Sequence, residues 1–230
     1  MPAEFDEYAA SYQQLLNDPL RERFASGSQF FMRRKWDLLK AFLRRRNVQT
    51  GTRKWLDVGC GFGDLLRLGE PSFRESNGCD LSPEMLAQAK GLDVRLQKRP
   101  DELPYESETF DLVTAVCVYH HIASNETRLE LTNELKRVLK PAGIACIIEH
   151  NPLNPVTRLI VSRTPVDASA RLISLSESTE LLTAAGLSVI AKEQFLFLPE
   201  ALYDRAPFIE SWLRNVPLGG QYAVFAERLS

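Results

Sequence analysis

The sequence predicts an α/β protein with a mostly parallel sheet and helices on both faces. Three observations predict it. From about residue 53 short apolar runs alternate with amphipathic segments, the pattern of βαβ units. Those runs are largely apolar, as strands covered on both faces must be. A Gly-rich turn, Gly59-Cys60-Gly61-Phe62-Gly63, joins the first run to a helix-like segment. The 230 residues, 44% hydrophobic and 25% charged, suffice for a core without disulfide or metal staples.

The elements follow in order. Residues 1–50 read as helical. Phe5, Tyr8 and Tyr12 recur at helical spacing, Pro19 breaks the pattern, and Ser26-Gly27-Ser28 reads as a loop. A second helix runs through Trp36, Leu39 and Leu43. Strands are expected at 55–58, into Gly78-Cys79-Asp80, at 94–96, at 110–118 and at 143–149, with helices near 63–70, from Pro83 and near 125–139. Residues 150–173, with Pro152, Pro155 and Pro165, read as a long irregular stretch. Ser174 opens a helix, Glu177 completes a capping box, and Gly186 closes it. Residues 187–198 and 221–226 read as the last strands.

Lys+Arg 28 against Asp+Glu 30 gives a net charge of -2, which argues against a dedicated nucleic-acid binder. No apolar run reaches membrane-spanning length, and Met1-Pro2-Ala3-Glu4-Phe5-Asp6 lacks the basic and apolar regions of a leader, so a cytoplasmic protein is expected. Cys60, Cys79, Cys117 and Cys146 lie singly in strand-like or Gly-rich stretches and read as buried thiols rather than disulfides.

Function is most legible around Leu56-Asp57-Val58-Gly59-Cys60-Gly61-Phe62-Gly63. Glycines there permit a tight turn and a close approach of ligand to backbone. Asp80 closes the next strand, where an acid accepts hydrogen bonds from both ribose hydroxyls of an adenosine. Ser82 and Pro83 then start a helix. A dinucleotide site has the spacing G-x-G-x-x-G, whereas these glycines are spaced G-x-G-x-G. Asp57 would repel a pyrophosphate and suit an ammonium. The charge logic favours S-adenosylmethionine.

These pieces resemble a class I S-adenosylmethionine-dependent methyltransferase, of the small-molecule, ubiquinone-biosynthesis-like group. The resemblance also draws on Phe5-Asp6-Glu7-Tyr8-Ala9, Cys79-Asp80-Leu81-Ser82-Pro83-Glu84-Met85, Leu103-Pro104-Tyr105, Phe110-Asp111-Leu112-Val113, and Glu134-Leu135 to Pro141 with Gly143. It implies a Rossmann-like, seven-stranded sheet, parallel except for an antiparallel last strand. It also implies one methyltransferase domain over 1–230: a helical cap (1–50), a cofactor-binding half (51–150), and substrate loops with closing strands (151–230). Carried over by residue, it places the methionyl end of the cofactor at Asp57, Gly59, Cys60 and Gly61, and the ribose on Asp80. Leu81 and Met85 would flank the adenine, Cys117 and Val118 would lie beneath the sulfonium, and Tyr12 would close over it. The product would be S-adenosylhomocysteine. Relatives carry an adenine-binding Asp where this chain has Arg99, followed by Pro100 and Asp101; either Asp101 or a backbone carbonyl substitutes, or the adenine is held mainly by packing.

His120, His121 and His150 all follow the fourth and fifth strand-like runs, at the sheet edge where ligands bind. His120 or His150 is the expected proton acceptor, with Glu149 orienting it. No metal is expected, because adjacent histidines rarely converge on one ion and no HxxxH or HExxH occurs. The basic run Arg33-Arg34-Lys35, Lys40 and Arg44-Arg45-Arg46 reads as a solvated helix face. Arg158, Arg163 and Arg171 suggest an anionic acceptor. The expected activity is methyl transfer to a small molecule, at oxygen or carbon, with no nucleic-acid or membrane partner. The rivals are a regulatory protein that binds the cofactor without turnover, an RNA methyltransferase, and a nicotinamide dehydrogenase.

Overall fold

The computed structural model describes residues 5–229, without the side chain of Gln13; Met1 to Glu4, part of the stretch read for a leader, lie outside them. Seven strands form one sheet in the order β3-β2-β1-β4-β5-β7-β6. They are β1 (Lys54–Val58), β2 (Glu75–Asp80), β3 (Asp93–Leu96), β4 (Phe110–Val116), β5 (Leu139–His150), β6 (Ser188–Phe195) and β7 (Gln221–Glu227). β1 to β5 pair in parallel, and β7 runs antiparallel to both β5 and β6, as expected. Strand order reverses at β1, so the carboxyl ends of β1, β2 and β4 open onto one crevice.

The helices are α1 (Tyr12–Leu15), α2 (Pro19–Phe24), α3 (Ser28–Arg45), α4 (Asp64–Gly69), α5 (Pro83–Leu86), α6 (Asn125–Val138), α7 (Pro155–Val161), α8 (Leu175–Ala184), α9 (Glu200–Tyr203) and α10 (Phe208–Leu213). Both sheet faces are buried, which is why the central strands are apolar at successive positions. On β7, Tyr222, Val224 and Ala226 join the core beneath Leu131, Leu135 and Leu182 of α6 and α8. Ala223 and Phe225 face the opposite core, with Leu39, Phe42 and Leu43 of α3 and Leu65 and Leu66 of α4. The capping box of α8 forms with both of its hydrogen bonds. No helix among the described residues is long and apolar enough to cross a membrane.

Four local expectations are corrected. Phe5 and Tyr8 sit in turns, and only a single turn of helix, α1, follows, although the rings still cluster. Pro19 starts a helix rather than breaking one: the Asp18 side chain accepts from Leu20 N (2.8 Å), which suits proline at the first helical position. Within 150–173 the Asn154 side chain caps α7 by accepting from Val156 N and Thr157 N. The basic run is not simply solvated. Arg34 and Lys35 are buried on α3, and Arg34 pairs with Glu210 of α10 while its guanidinium lies 3.4 Å from the centroid of the Tyr203 ring. Arg33, Lys40, Arg45 and Arg46 are held in ion pairs with Asp204, Asp37, Glu193 and Glu227.

Candidate functional site

A cavity of about 1480 Å³ lies along the carboxyl ends of the strands. Its floor is the turn after β1. Gly59, Gly61 and Gly63 all adopt positive φ (68°, 53° and 77°), which favours glycine at each. Their surroundings differ. A Cβ on Gly59 would lie 2.4 Å from Val118 Cγ2, and one on Gly63 2.2 Å from Leu92 Cδ1; on Gly61 it would meet nothing within 4 Å. Two glycines therefore let neighbouring chain close in, and Gly61 leaves the cavity clear.

Asp57, at the end of β1, is buried and accepts a 2.5 Å hydrogen bond from Thr114 Oγ1; Trp55 Nε1 donates to the same hydroxyl (2.9 Å). Burial pushes its carboxyl up to about 7, opposed by the Thr114 hydrogen bond and the positive charge of Lys35. Lys35 lines the cavity at 4% exposure and has no hydrogen bond or ion pair among the described residues. Asp80, at the end of β2, accepts from Gly61 N (2.8 Å) and Ser82 N (2.9 Å), so the acid is tied to the glycine turn it serves. Burial raises its pKa, opposed by those N–H groups.

Of the expected cofactor residues, Tyr12, Asp57, Gly59, Cys60, Gly61, Asp80, Leu81, Met85, Pro100, Cys117 and Val118 all line this cavity. Asp101 does not. Its carboxylate pairs with the Arg99 guanidinium outside the cavity, and Gln97 and Lys98 line the wall beside Pro100 instead. The N-terminal aromatics close the cavity from above, Tyr12 edge-on to Phe62 (5.6 Å between centroids) and Phe5 edge-on to His121 (4.7 Å). Tyr8 lies outside the lining.

The histidines meet in one corner. Cys117, with φ of 57°, follows β4 and turns the chain into the single 3-10 turn Tyr119–His121. Glu149, fully buried behind the cavity wall, accepts from Tyr119 N (2.7 Å) and bonds His120 Nδ1 (2.5 Å). Asp167, in the 3-10 turn Pro165–Asp167, lies 3.6 Å from both His120 Nε2 and His121 Nε2. Burial opposes the charged form of His120, but the carboxylates of Glu149 and Asp167 outweigh it and lift the pKa to about 10. Burial and the neighbouring His120 cation hold His121 down to about 4 and His150 to about 3. Gln221 Nε2 contacts His150 Nδ1 at 3.3 Å, and His150 Nε2 carries no hydrogen bond among the described residues.

Arg158, Arg163 and Arg171 do not line the cavity, so they give no ground for an anionic acceptor; Arg171 is taken up by Asn125 and Glu177. Two lining residues escape sequence reasoning. Lys35 is hidden in a run of surface-like bases, and Asp167 is a lone acid in a proline-rich stretch that only tertiary folding brings to the histidines.

A family model for the methyltransferase domain matches residues 56–147. Residues 56–147 therefore carry a methyltransferase domain. The match spans the glycine turn, Asp80 and strands β2 to β4. The cofactor of such a domain is S-adenosylmethionine and its product S-adenosylhomocysteine. The chain is 32% identical over 136 residues to a tRNA (carboxymethyluridine(34)-5-O)-methyltransferase of Arabidopsis thaliana, covering 58% of this chain and 32% of that one. It is also 32% identical over 161 residues to a demethylmenaquinone methyltransferase of Chlorobaculum parvum, covering 67% of this chain and 61% of that one. The chain thus spans less than two thirds of the length of either relative. A solved S-adenosylmethionine-dependent methyltransferase of Thermotoga maritima shares the fold with a TM-score of 0.71 at 17% identity, over 98% of both chains. The residues present fit the cofactor: a clear cradle at Gly61, an acid for its ammonium, and an acid for its ribose.

Proposed function

We propose that this methyltransferase moves a methyl group from S-adenosylmethionine to a small-molecule acceptor, at oxygen or carbon, within the cavity. The observation that carries the reading is the cavity's size. At about 1480 Å³ it exceeds the roughly 300–1,000 Å³ of a single-ligand pocket, which leaves space for an acceptor beside the cofactor. Residues 1–50 act as a cap, 51–150 hold the cofactor, and 151–230 shape the acceptor's end, where Ile160, Val161 and Phe197 present apolar wall.

The cofactor supplies an electrophilic methyl on a sulfonium, which leaves alignment and proton removal to the protein. Asp57 binds its ammonium. Lys35, whose charge acts on Asp57, binds the carboxylate of the same aminoacyl end. Asp80 takes the ribose hydroxyls, and Leu81, Met85 and Pro100 pack on the adenine. Cys117 and Val118 would lie under the sulfonium, while Tyr12 and Phe5 would exclude water and offer aromatic rings to the cation. His150 accepts the acceptor's proton at Nε2, and Glu149 positions the ring of His120 beside it (5.2 Å between ring centroids).

The Arabidopsis relative acts on tRNA. Against that reading here, the basic run that would meet a phosphate backbone is largely consumed by burial and ion pairs. Incubation with methyl-labelled cofactor, a panel of hydroxylated and carbon-acid small molecules, and bulk tRNA tests the proposal. Label in a small molecule supports it; label in tRNA alone contradicts it.

Asp57 also sets a pH dependence. Only its carboxylate pairs with an ammonium, and its carboxyl titrates at about 7 before ligand binds. Cofactor affinity is therefore expected to fall by up to about tenfold per pH unit below about 7 and to level off just above it. Calorimetric titrations from about pH 5.5 to 7.5 check this, and a flat profile would remove Asp57 from the ammonium site.

A further inference from the structure

We propose that His120, His121 and Asp167 form a binding site for one divalent transition-metal ion, open to the acceptor end of the cavity. The sequence argued against such a site because adjacent histidines rarely converge. Here the tight turn at Tyr119–His121 makes them converge, with ring centroids 4.0 Å apart and one ligand atom from each residue within 4.8 Å of the others.

Three features separate this corner from an ordinary polar cluster. The first is spacing. Two donors on one ion at roughly 2.1 Å stand roughly 3.4 Å apart in tetrahedral geometry, whereas a hydrogen bond brings them to roughly 2.9 Å. Both imidazole Nε2 atoms lie 3.6 Å from Asp167 Oδ1, the ligand-to-ligand distance. The second is the outer partner. Glu149 holds His120 through Nδ1 (2.5 Å), which commits Nε2 to the cavity side and raises its basicity, the usual carboxylate–histidine–metal arrangement. The third is charge. Two carboxylates and three imidazoles share the corner, and no Lys or Arg among the described residues is ion-paired with Glu149 or Asp167.

Two imidazoles and one carboxylate select zinc, iron(II), manganese or cobalt over calcium and magnesium, which take all-oxygen shells. With three protein ligands, positions remain for an oxygen of the acceptor. This use of the ion rests on the methyl-transfer reading. The acceptor hydroxyl binds the ion and loses its proton to His150 Nε2; the oxygen–methyl bond forms as the sulfur–methyl bond breaks, and a neutral thioether leaves. Nothing is oxidised or reduced.

The test is calorimetric titration of chelator-treated, full-length protein with Zn²⁺ and Mn²⁺, with Co²⁺ absorption as a second readout. One ion per chain is expected. His121→Ala and Asp167→Asn should each weaken binding at least tenfold, and Glu149→Gln by roughly 10- to 100-fold. Titrating the same samples with S-adenosylhomocysteine reports the cofactor cradle separately, and its retention in His121→Ala shows that the fold is intact. If the cradle binds and no ion does, or if the ion binds equally well to His121→Ala and Asp167→Asn, the metal site is wrong while the methyltransferase reading stands. If an ion binds one per chain and the cradle does not, the opposite holds.

Discussion

Asp80→Ala is expected to weaken S-adenosylmethionine binding by about 100-fold. Hydrogen bonds to a charged group contribute roughly 1.5–3 kcal/mol each, and the loss of two ribose contacts offset by some water gives about 3 kcal/mol, or about 100-fold. Asp80 also anchors the glycine turn through Gly61 N and carries Ser82 N. The substitution therefore loosens the cradle as well as removing a ligand contact. Asp80→Asn separates the two effects: it keeps one acceptor oxygen for the turn and should lose only about tenfold. Calorimetric affinity together with the thermal midpoint of the free protein reads both. Unchanged affinity in Asp80→Ala would remove the ribose assignment.

Arg34→Met is expected to cost about 3–5 kcal/mol of stability, the usual penalty for leaving one member of a buried ion pair uncompensated. Arg34 and Glu210 are each about 5% exposed. Glu210 accepts from Phe197 N (2.9 Å) and Leu198 N (3.0 Å), so it pins the chain leaving β6 as well as α10. The pair thereby fixes α3, which carries Lys35, against the segment that supplies Phe197 to the cavity. Urea unfolding of Arg34→Met, Glu210→Leu and the double variant measures it. The double variant should recover only part of the loss, because an apolar pair leaves no stranded charge but takes the acceptor from Phe197 N and Leu198 N. A single variant within about 1 kcal/mol of the parent would show that the pair is not structural.

The sheet was legible because its causes are local. Apolar runs mark strands covered on both faces, the capping box of Ser174 and Glu177 is a four-residue signal, and Gly186 takes the positive φ that ends a helix. The cavity floor was legible for the same reason, since Asp57, the glycine turn and Asp80 sit at strand ends that local pattern locates. The acceptor side was not. Lys35 looks like its exposed neighbours until α3 packs on the sheet, and nothing near Asp167 in the chain foretells two histidines some 46 positions earlier. Proline misled twice, at Pro19 and Pro155, because each opens a helix capped by a preceding Asp or Asn. The arginines of 150–173 misled because charge type was legible and direction was not.

The central claim is that the cavity at the ends of β1, β2 and β4 receives an adenosyl sulfonium and no pyrophosphate. Calorimetric titration of the full chain with S-adenosylmethionine, S-adenosylhomocysteine and NAD⁺ tests it most directly. Saturable binding of the first two at one per chain, with no heat from the third, is the result predicted by a clear Gly61 cradle flanked by Asp57 and Asp80. Tight NAD⁺ binding, with neither of the others bound, would contradict it.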